Sequence, residues 1–392
     1  RLFSFELDND LRPHIDAAAL LSLFNSRAGR IEGKTEVRPS LISWQDLNNV
    51  LASHRLNEPR LRVAGVPDGD PIVRVQHGRR DVKIPRLSLD SIISALSGGG
   101  TLVLDAIDET HPKLRALTRA FARTFGSVPQ TNLYASFGSS PGFGLHWDDH
   151  DVFVFQISGR KHWRIFNPTR TSPSYRDVDS PGPPATDCAP YFDEIIDPGT
   201  IIYVPRGHWH DVVGLDEPSL HLTVGITHPT ASDLLNWLAD EIRAVDELRA
   251  DIPLFDEAAA QKHENALRNY VEKRFAGNLV GAYLEFRRTQ LAYRAEPSLP
   301  ASVTRRLSPE SEVIWIALNP PRRNQSGETL IRADNKSLTL APETWGLVDS
   351  IWCTKRATTS ELARGFGTVL TAPQIATVIL TLADFGAVAI HD

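Results

Sequence analysis

The sequence is short of several things, and each shortage closes off a class of explanation. Of its 392 residues only two are cysteine, Cys188 and Cys353. They stand far apart and in no metal-type spacing, which excludes a disulfide framework and fits a reducing, cytoplasmic setting. No stretch approaches the roughly 18 consecutive apolar residues of a membrane-spanning helix, so no membrane partner is expected. The first residues, Arg1-Leu2-Phe3-Ser4-Phe5-Glu6, lack the basic-then-apolar layout of a secretory signal. Excess positive charge is missing too. Lys and Arg number 42 against 48 Asp and Glu, a net −6, so the chain as a whole offers no electrostatic reason to bind a phosphate backbone, and direct nucleic-acid binding is not expected. Methionine is absent altogether, initiator included, although a chain of this length ordinarily holds several.

What remains is an ordinary globular composition, 41% hydrophobic and 23% charged, in a chain long enough for two or three domains. Residues 1–98 read as mixed scaffold. Ser43-Trp44-Gln45-Asp46 has the cap-and-acid spacing of a helix start, followed by apolar Leu47, Val50 and Leu51. Residues 60–66 alternate as a strand, with Arg60 and Arg62 opposite Leu61 and Val63. Residues 88–96 read as a helix stopped by Gly98-Gly99-Gly100, residues 101–106 as a strand, and residues 111–125 as a helix ended by Gly126. From residue 130 to 227 short strands broken by Gly and Pro take over, at 131–137, 152–157, 161–166, 200–204 and 220–226. A tight turn at Ser158-Gly159 reads as a hairpin, and the Pro- and Ser-rich stretch around Ser180-Pro181-Gly182-Pro183-Pro184 as a long connection. Such strand density predicts a barrel or sandwich.

After Pro229 the spacing turns helical. Leu234, Leu235, Leu238, Ile242, Val245 and Leu248 make one stripe, and a second helical stretch spans 256–293 with a break near Gly277. From residue 298 the chain alternates again: strands at 313–318 and 337–340, a capped helix at Thr358-x-x-Glu361, a helix over 372–385 and a closing strand at 388–390. Helix then strand in a small domain suggests a winged helix. Residues 301–392 carry nine Lys and Arg against nine Asp and Glu, so the expected role is scaffold or protein contact rather than DNA binding.

The chemistry concentrates in two pieces. In Gly144-Leu145-His146-Trp147-Asp148, a strand would put His146 and Asp148 on one face. A histidine from a second strand would complete two imidazoles and one carboxylate, the set that suits non-haem Fe(II) because it leaves positions open for other ligands. The second piece runs from Gly199 through Pro205-Arg206-Gly207-His208-Trp209-His210. It resembles the second cupin motif, in which a Gly/Pro turn presents a histidine, and its spacing selects His210 over His208 and His221. Gly214 stands where that motif usually has Asn. The first cupin motif has His-x-His and a following Glu; here Asp148 replaces the second His and the Glu position falls near apolar Val152, as in the oxygenase branch.

Together with Asn132-Leu133-Tyr134, Asp151-Val152-Phe153-Val154-Phe155-Gln156, Gly159-Arg160-Lys161-His162-Trp163 and Leu220-His221-Leu222-Thr223, these motifs resemble the JmjC-type 2-oxoglutarate oxygenases of the cupin-4, or ribosomal oxygenase, group. The resemblance implies an α+β chain: a double-stranded β-helix barrel with N-terminal flanking helices over 1–228, a helical dimerisation region over 229–297, and a winged helix over 298–392. It implies Fe(II) on His146, Asp148 and His210, with 2-oxoglutarate and O2 as co-substrates. By position Lys161 would meet the distal carboxylate of 2-oxoglutarate. If residues 158–159 form a two-residue turn, Lys161 also falls opposite Gln156, on the face of His146 and Asp148 provided the strand continues back to 146. Asn132 and Thr223 would line the co-substrate pocket and Tyr134 the substrate, while Asp149, His150, His162, His208 and His221 are expected to be supporting residues. The implied activity is hydroxylation of a protein side chain, Arg or His of a ribosomal protein. Two rivals are a hydroxylase of a small molecule or peptide natural product, and a non-enzymatic regulator that senses a ligand and binds DNA.

Overall fold

The computed structural model describes residues 5–33, 40–65, 71–174, 182–291, 295–333 and 335–392. Val66, Ser180, Pro181 and Tyr293, placed above in a strand, a connection and a helix, lie outside the described residues, as do Arg1 to Ser4. The chain divides into two units, Phe5–His228 and Pro229–Asp392.

The first unit holds helices α1 (Ala17–Leu23), α2 (Trp44–Ser53), α3 (Leu89–Ser97) and α4 (Pro112–Phe125). Its strands are β1 (Gly29–Arg30), β2 (Leu61–Ala64), β3 (Val73–His77), β4 (Lys83–Leu87), β5 (Thr101–Leu104), β6 (Gln130–Ser136), β7 (Asp151–Ser158), β8 (Lys161–Phe166), β9 (Phe192–Ile196), β10 (Ile201–Val204), β11 (Trp209–Gly214) and β12 (Ser219–Ile226). Seven strands form one sheet in the order β1-β10-β7-β12-β6-β5-β2, and three form a second, β11-β8-β9. The helix signals are realised as read. Ser43 and Asp46 make a reciprocal capping box on α2, and Gly126 ends α4 in the left-handed conformation.

Strand alternation explains the layers. Phe153 and Phe155 of β7, Leu133 of β6, Tyr203 of β10 and Leu222 of β12 bury one face of the large sheet against Leu114, Leu117 and Phe121 of α4. The other face, with Val152, Val154, Ile202 and Val204, packs on Trp163 and Ile165 of β8 and on Phe192 and Ile196 of β9. The space between the two sheets is the barrel interior, and the even-numbered residues of β6 fall on that side.

One expectation fails here. β7 and β8 are not a hairpin: β7 pairs with β10 and β12, while β8 pairs with β11 and β9. Residues 158–160 carry the chain from one sheet to the other. Gly159 has φ +62°, and a Cβ there would run into the carbonyl of Pro218, so the crossing requires glycine. Five strands of this unit, β1, β3, β4, β9 and β11, were also missed. β9 emerges from the supposed long connection, and β11 carries His210.

In the second unit, α5 (Ala231–Ile242), α6 (Asp246–Arg249), α7 (Glu257–Ala276) and α8 (Leu279–Gln290) come first. Leu234, Trp237 and Leu238 bury against Leu279 and Tyr283. Leu235 is exposed, and Val245 caps a separate short helix, so the six-residue stripe is not one continuous face. A second core gathers α9 (Ala301–Thr304), β13 (Glu312–Trp315), β14 (Arg322–Arg323), β15 (Thr329–Ala333), β16 (Lys336–Leu340), α10 (Trp345–Thr354), β17 (Arg356–Thr358), α11 (Thr359–Phe366), α12 (Ala372–Phe385) and β18 (Val388–His391). Its two three-stranded sheets have the orders β17-β13-β18 and β14-β15-β16.

Candidate metal centre and its pocket

The barrel interior opens into a cavity of about 350 Å³. At one side of it the ligand atoms of His146, Asp148 and His210 lie within 4.8 Å of one another. The sequence argument reached this trio through an unbroken strand, and that premise is wrong. β7 starts only at Asp151, so His146 and Asp148 sit in the preceding loop. That loop is fastened to the entry of β11 instead. His146 N–H donates to the His210 carbonyl at 3.1 Å and His210 N–H to the His146 carbonyl at 2.7 Å, while Gly207 N–H donates to the Asp148 carbonyl at 2.9 Å. One ligand's backbone thus sets the position of another's.

Both imidazoles are oriented the same way. His146 Nδ1 lies 2.9 Å from the Gly144 carbonyl and His210 Nδ1 lies 3.1 Å from the His208 carbonyl. Each Nδ1–H donates there, which leaves the Nε2 lone pair for a ligand. The rings are 4.3 Å apart and Asp148 Oδ2 is 3.6 Å from His210 Nε2. Burial, then the neighbouring His146, hold the His210 imidazole below its usual range, so it is neutral. Two imidazole nitrogens and one carboxylate converging on an open space are the donor set of a divalent transition metal with vacant positions.

Lys161 lies in the same cavity wall, although its register is not the expected one. It pairs with Gly214 of β11 and Ile196 of β9, not with Gln156. Its side chain is buried, and burial alone pulls the ammonium down to about 7, with no carboxylate neighbour to counter it. The Nε1 of Trp163, the Oγ of Ser136 and the Nδ1 of His221, all on cavity-lining residues, have no hydrogen-bond partner. A buried cation and three unpaired polar atoms are what a bound carboxylate would satisfy. Gly214 fits this wall for a steric reason, because a Cβ there would collide with the Gly138 carbonyl.

Asn132, Tyr134 and Thr223 also line the cavity. Asn132 Oδ1 accepts from Ala106 N–H at 3.0 Å and from Gln130 Nε2 at 2.7 Å, so its NH2 is the group with capacity to spare. Tyr134 stacks on His221 at 4.8 Å and 6°. Burial pushes its phenol up, and its hydroxyl lies beside Thr223 and Asn132. Arg62, ion-paired with Asp105, lines the cavity as well, together with Phe143 and His150.

The supporting histidines separate. His162 pairs with Asp193 at 2.5 Å at the surface. His208 accepts from the Tyr191 hydroxyl at 2.7 Å, and burial holds it at about 4. His150 packs its ring where a Cβ on Gly225 would stand. His221 is buried in the cavity wall, beside Lys161, and burial keeps it well below its ordinary range. Sequence reasoning missed the pocket role of His221, Trp163, Ser136, Arg62 and Asp105. The signal for one of them was there: Arg62 sits on the polar side of an alternating strand.

The JmjC domain model matches residues 109–234. Among curated proteins, the bifunctional lysine-specific demethylase and histidyl-hydroxylase NO66 of Drosophila mojavensis is 34% identical over 153 residues, 36% of this chain and 17% of that protein. Ribosomal oxygenase 1 of Danio rerio is 37% identical over 102 residues, 26% of this chain and 19% of that protein. The chain thus spans under a fifth of the length of either. Among solved structures, Escherichia coli ribosomal oxygenase YcfD superposes with a TM-score of 0.62 at 18% identity, covering 99% of this chain and 100% of that one. The same enzyme in complex with cobalt and 2-oxoglutarate gives 0.62 at 18% identity over 96% of this chain and 99% of that one. At that identity the likeness shows the fold.

Proposed function

From the premise that residues 109–234 are a JmjC domain, we propose that this chain is an Fe(II)- and 2-oxoglutarate-dependent hydroxylase of a protein side chain, Arg or His of a ribosomal protein. The observation that carries the reading is the trio His146, Asp148 and His210, within 4.8 Å in a cavity that also buries an uncompensated lysine. The names of the relatives, a histidyl-hydroxylase and two ribosomal oxygenases, support the substrate class.

In this reading His146, Asp148 and His210 hold the iron. When bound, iron with 2-oxoglutarate and O2 supplies the oxidation that replaces a substrate C–H hydrogen by hydroxyl, with succinate and CO2 as co-products. The protein's own share is placement and exclusion of water. Lys161 pairs with the distal carboxylate and gains the counter-charge its burial denies it. The Trp163 N–H donates to the same end. Asn132 donates through its NH2 to the oxoacid, Thr223 fixes the Tyr134 hydroxyl, and Tyr134 borders the target side chain. Val152 and Val212 add apolar surface to the wall.

The second unit is read as a dimer-forming region followed by a winged helix. Among the described residues α7 buries none of its own side chains, and Phe255 is 100% exposed with Leu254 at 80%, an apolar surface that a second copy would cover. The sheet β17-β13-β18 with α10, α11 and α12 supports a winged helix used as scaffold or protein contact. Among the described residues no helix is long and apolar enough to cross a membrane. We place the reaction in the cytoplasm, the reducing setting that two free cysteines fit.

The test is direct. His146→Ala, Asp148→Ala and His210→Ala should each lower iron content and reduce succinate production from 2-oxoglutarate to background. Normal succinate production by any one of them removes the trio. Mass spectrometry of ribosomal proteins from cells with and without the gene should show one oxygen gained on one residue; no such difference would remove the substrate class and leave the oxygenase.

A further inference from the structure

Charge on the first unit is unevenly spread. The antiparallel ribbon β3–β4 with its tip, residues 73–87, holds Arg74, Arg79, Arg80, Lys83 and Arg86 against Asp81 alone, in a chain of net charge −6. All five cations are exposed. Arg74 lies directly opposite Arg86. Like charges at facing positions destabilise a two-stranded ribbon, and two-stranded ribbons are marginal to begin with. Asp81 does little to offset this: it is 94% exposed and meets His77 at 3.2 Å. Among the described residues no ion pair engages Arg79, Arg80 or Lys83. The tip itself is held in a left-handed conformation, with φ 59° at Arg80 and 58° at Asp81, which non-glycine residues adopt at some cost.

The ribbon has a fixed root. Ile72, Val73 and Leu87 pack on the main core, and Ser88 N–H donates to the Ile72 carbonyl at 2.8 Å. β2, which precedes the ribbon, contributes Arg62 to the cavity wall. Gly65, just after β2, lies so near Gly142 of the cavity rim that a Cβ would stand 3.0 Å from the Gly142 carbonyl.

We propose that the β3–β4 ribbon is an RNA-binding element, which docks a phosphate backbone. The polyanion relieves the facing like charges and gives each unpaired cation a partner. No aromatic stands on the ribbon to stack a base, so recognition is of backbone rather than of sequence. Val75 and Val82 are the exposed apolar residues of the ribbon, 57% and 53%, too little surface to insert into a bilayer. The charge argument is independent of the site; the choice of RNA over another polyanion rests on the ribosomal reading above.

The experiment uses the full chain and fluorescence anisotropy of a labelled single-stranded RNA of about 20 nucleotides, titrated between about 50 and 200 mM salt. The combined variant Arg79→Glu, Arg80→Glu, Lys83→Glu should lose at least tenfold in affinity. Its log–log salt slope should fall by about 2, as expected for three phosphate contacts on a single strand. A control that reverses three helix-surface arginines, Arg243→Glu, Arg249→Glu and Arg268→Glu, should leave both unchanged. Circular dichroism melts and succinate production confirm that the ribbon variant is folded. Unchanged affinity in the ribbon variant overturns the proposal, as does an equal loss in the control. Tighter binding to a DNA duplex, to poly-glutamate or to phosphatidylserine vesicles overturns the assignment to RNA. Because the readout is binding, loss of the proposed activity in the trio variants leaves this test standing, and the reverse holds as well.

Discussion

An ammonium group taken out of water with no carboxylate beside it loses hydration worth several kcal/mol, and Lys161 is in that position. Burial pulls it from 10.5 to about 7, so the folded chain binds fewer protons here than the unfolded chain between those values. The stability contribution is therefore present above about pH 10.5 and lost progressively as pH falls toward about 7. Lys161→Met should remove that slope and stabilise the ligand-free protein near pH 7 by on the order of a few kcal/mol, read from urea melts across the range. An unaltered pH slope would mean that the ammonium is solvated. The same residue predicts proton linkage in binding. At pH 8 the ligand-free lysine is mostly neutral, so binding of the 2-oxoglutarate dianion must take up a proton from the buffer, seen by calorimetry in buffers of differing ionisation enthalpy. Lys161→Arg, always charged, should bind without proton uptake, and Lys161→Ala should weaken binding by about 10²-fold.

At the scale of elements, the barrel depends on close backbone approaches that only glycine allows. Gly214→Asn would restore the residue that the cupin-like motif usually carries, yet its Cβ meets the Gly138 carbonyl. The substitution should cost about 1–3 kcal/mol, read as a fall in melting temperature; a neutral result would show that the 138–142 loop yields freely. The same elements explain what the sequence could and could not reveal. Capping at Ser43 and Thr358, the glycine after α4 and the alternation of β6 and β12 are local, and each was legible. The pairing of β7 with β12 rather than with β8 is not local. The turn at Ser158-Gly159 satisfies a hairpin by composition, and only the tertiary contact with Pro218 sends it to the other sheet. For the same reason Lys161 was placed in the pocket by a register that does not exist, and the strand assumed through His146 and Asp148 proved to be a loop. The residues still come together in one cavity because the motif spacing was informative; the geometric derivation was not. His221 was passed over because a lone histidine on a strand carries no sign of its depth.

For the whole molecule, two surfaces decide what the chain meets. If a second copy covers the α5–α8 region, Leu254→Glu with Phe255→Glu should shift the mass measured by light scattering from dimer to monomer. A monomer in the unchanged protein would remove that reading. Net charge, in contrast, is the wrong scale for the ribbon. Averaged over 392 residues it gives −6, while one exposed hairpin is locally basic, so an expectation about nucleic acid drawn from the sum does not speak for the part. The fastening of residues 146–148 to the start of β11 bears on how such proteins diversify. Since His146 is clasped by His210 of β11 and Asp148 by Gly207 just before it, side chains in the stretch between Ser136 and Gly144 can change without moving the metal ligands, provided the backbone contacts of Gly138 with Gly214 and of Pro141 with Val213 are kept. Substrate preference and metal geometry are therefore separable on inheritance, and grafting the 137–143 loop from a relative is a way to exchange one while keeping the other.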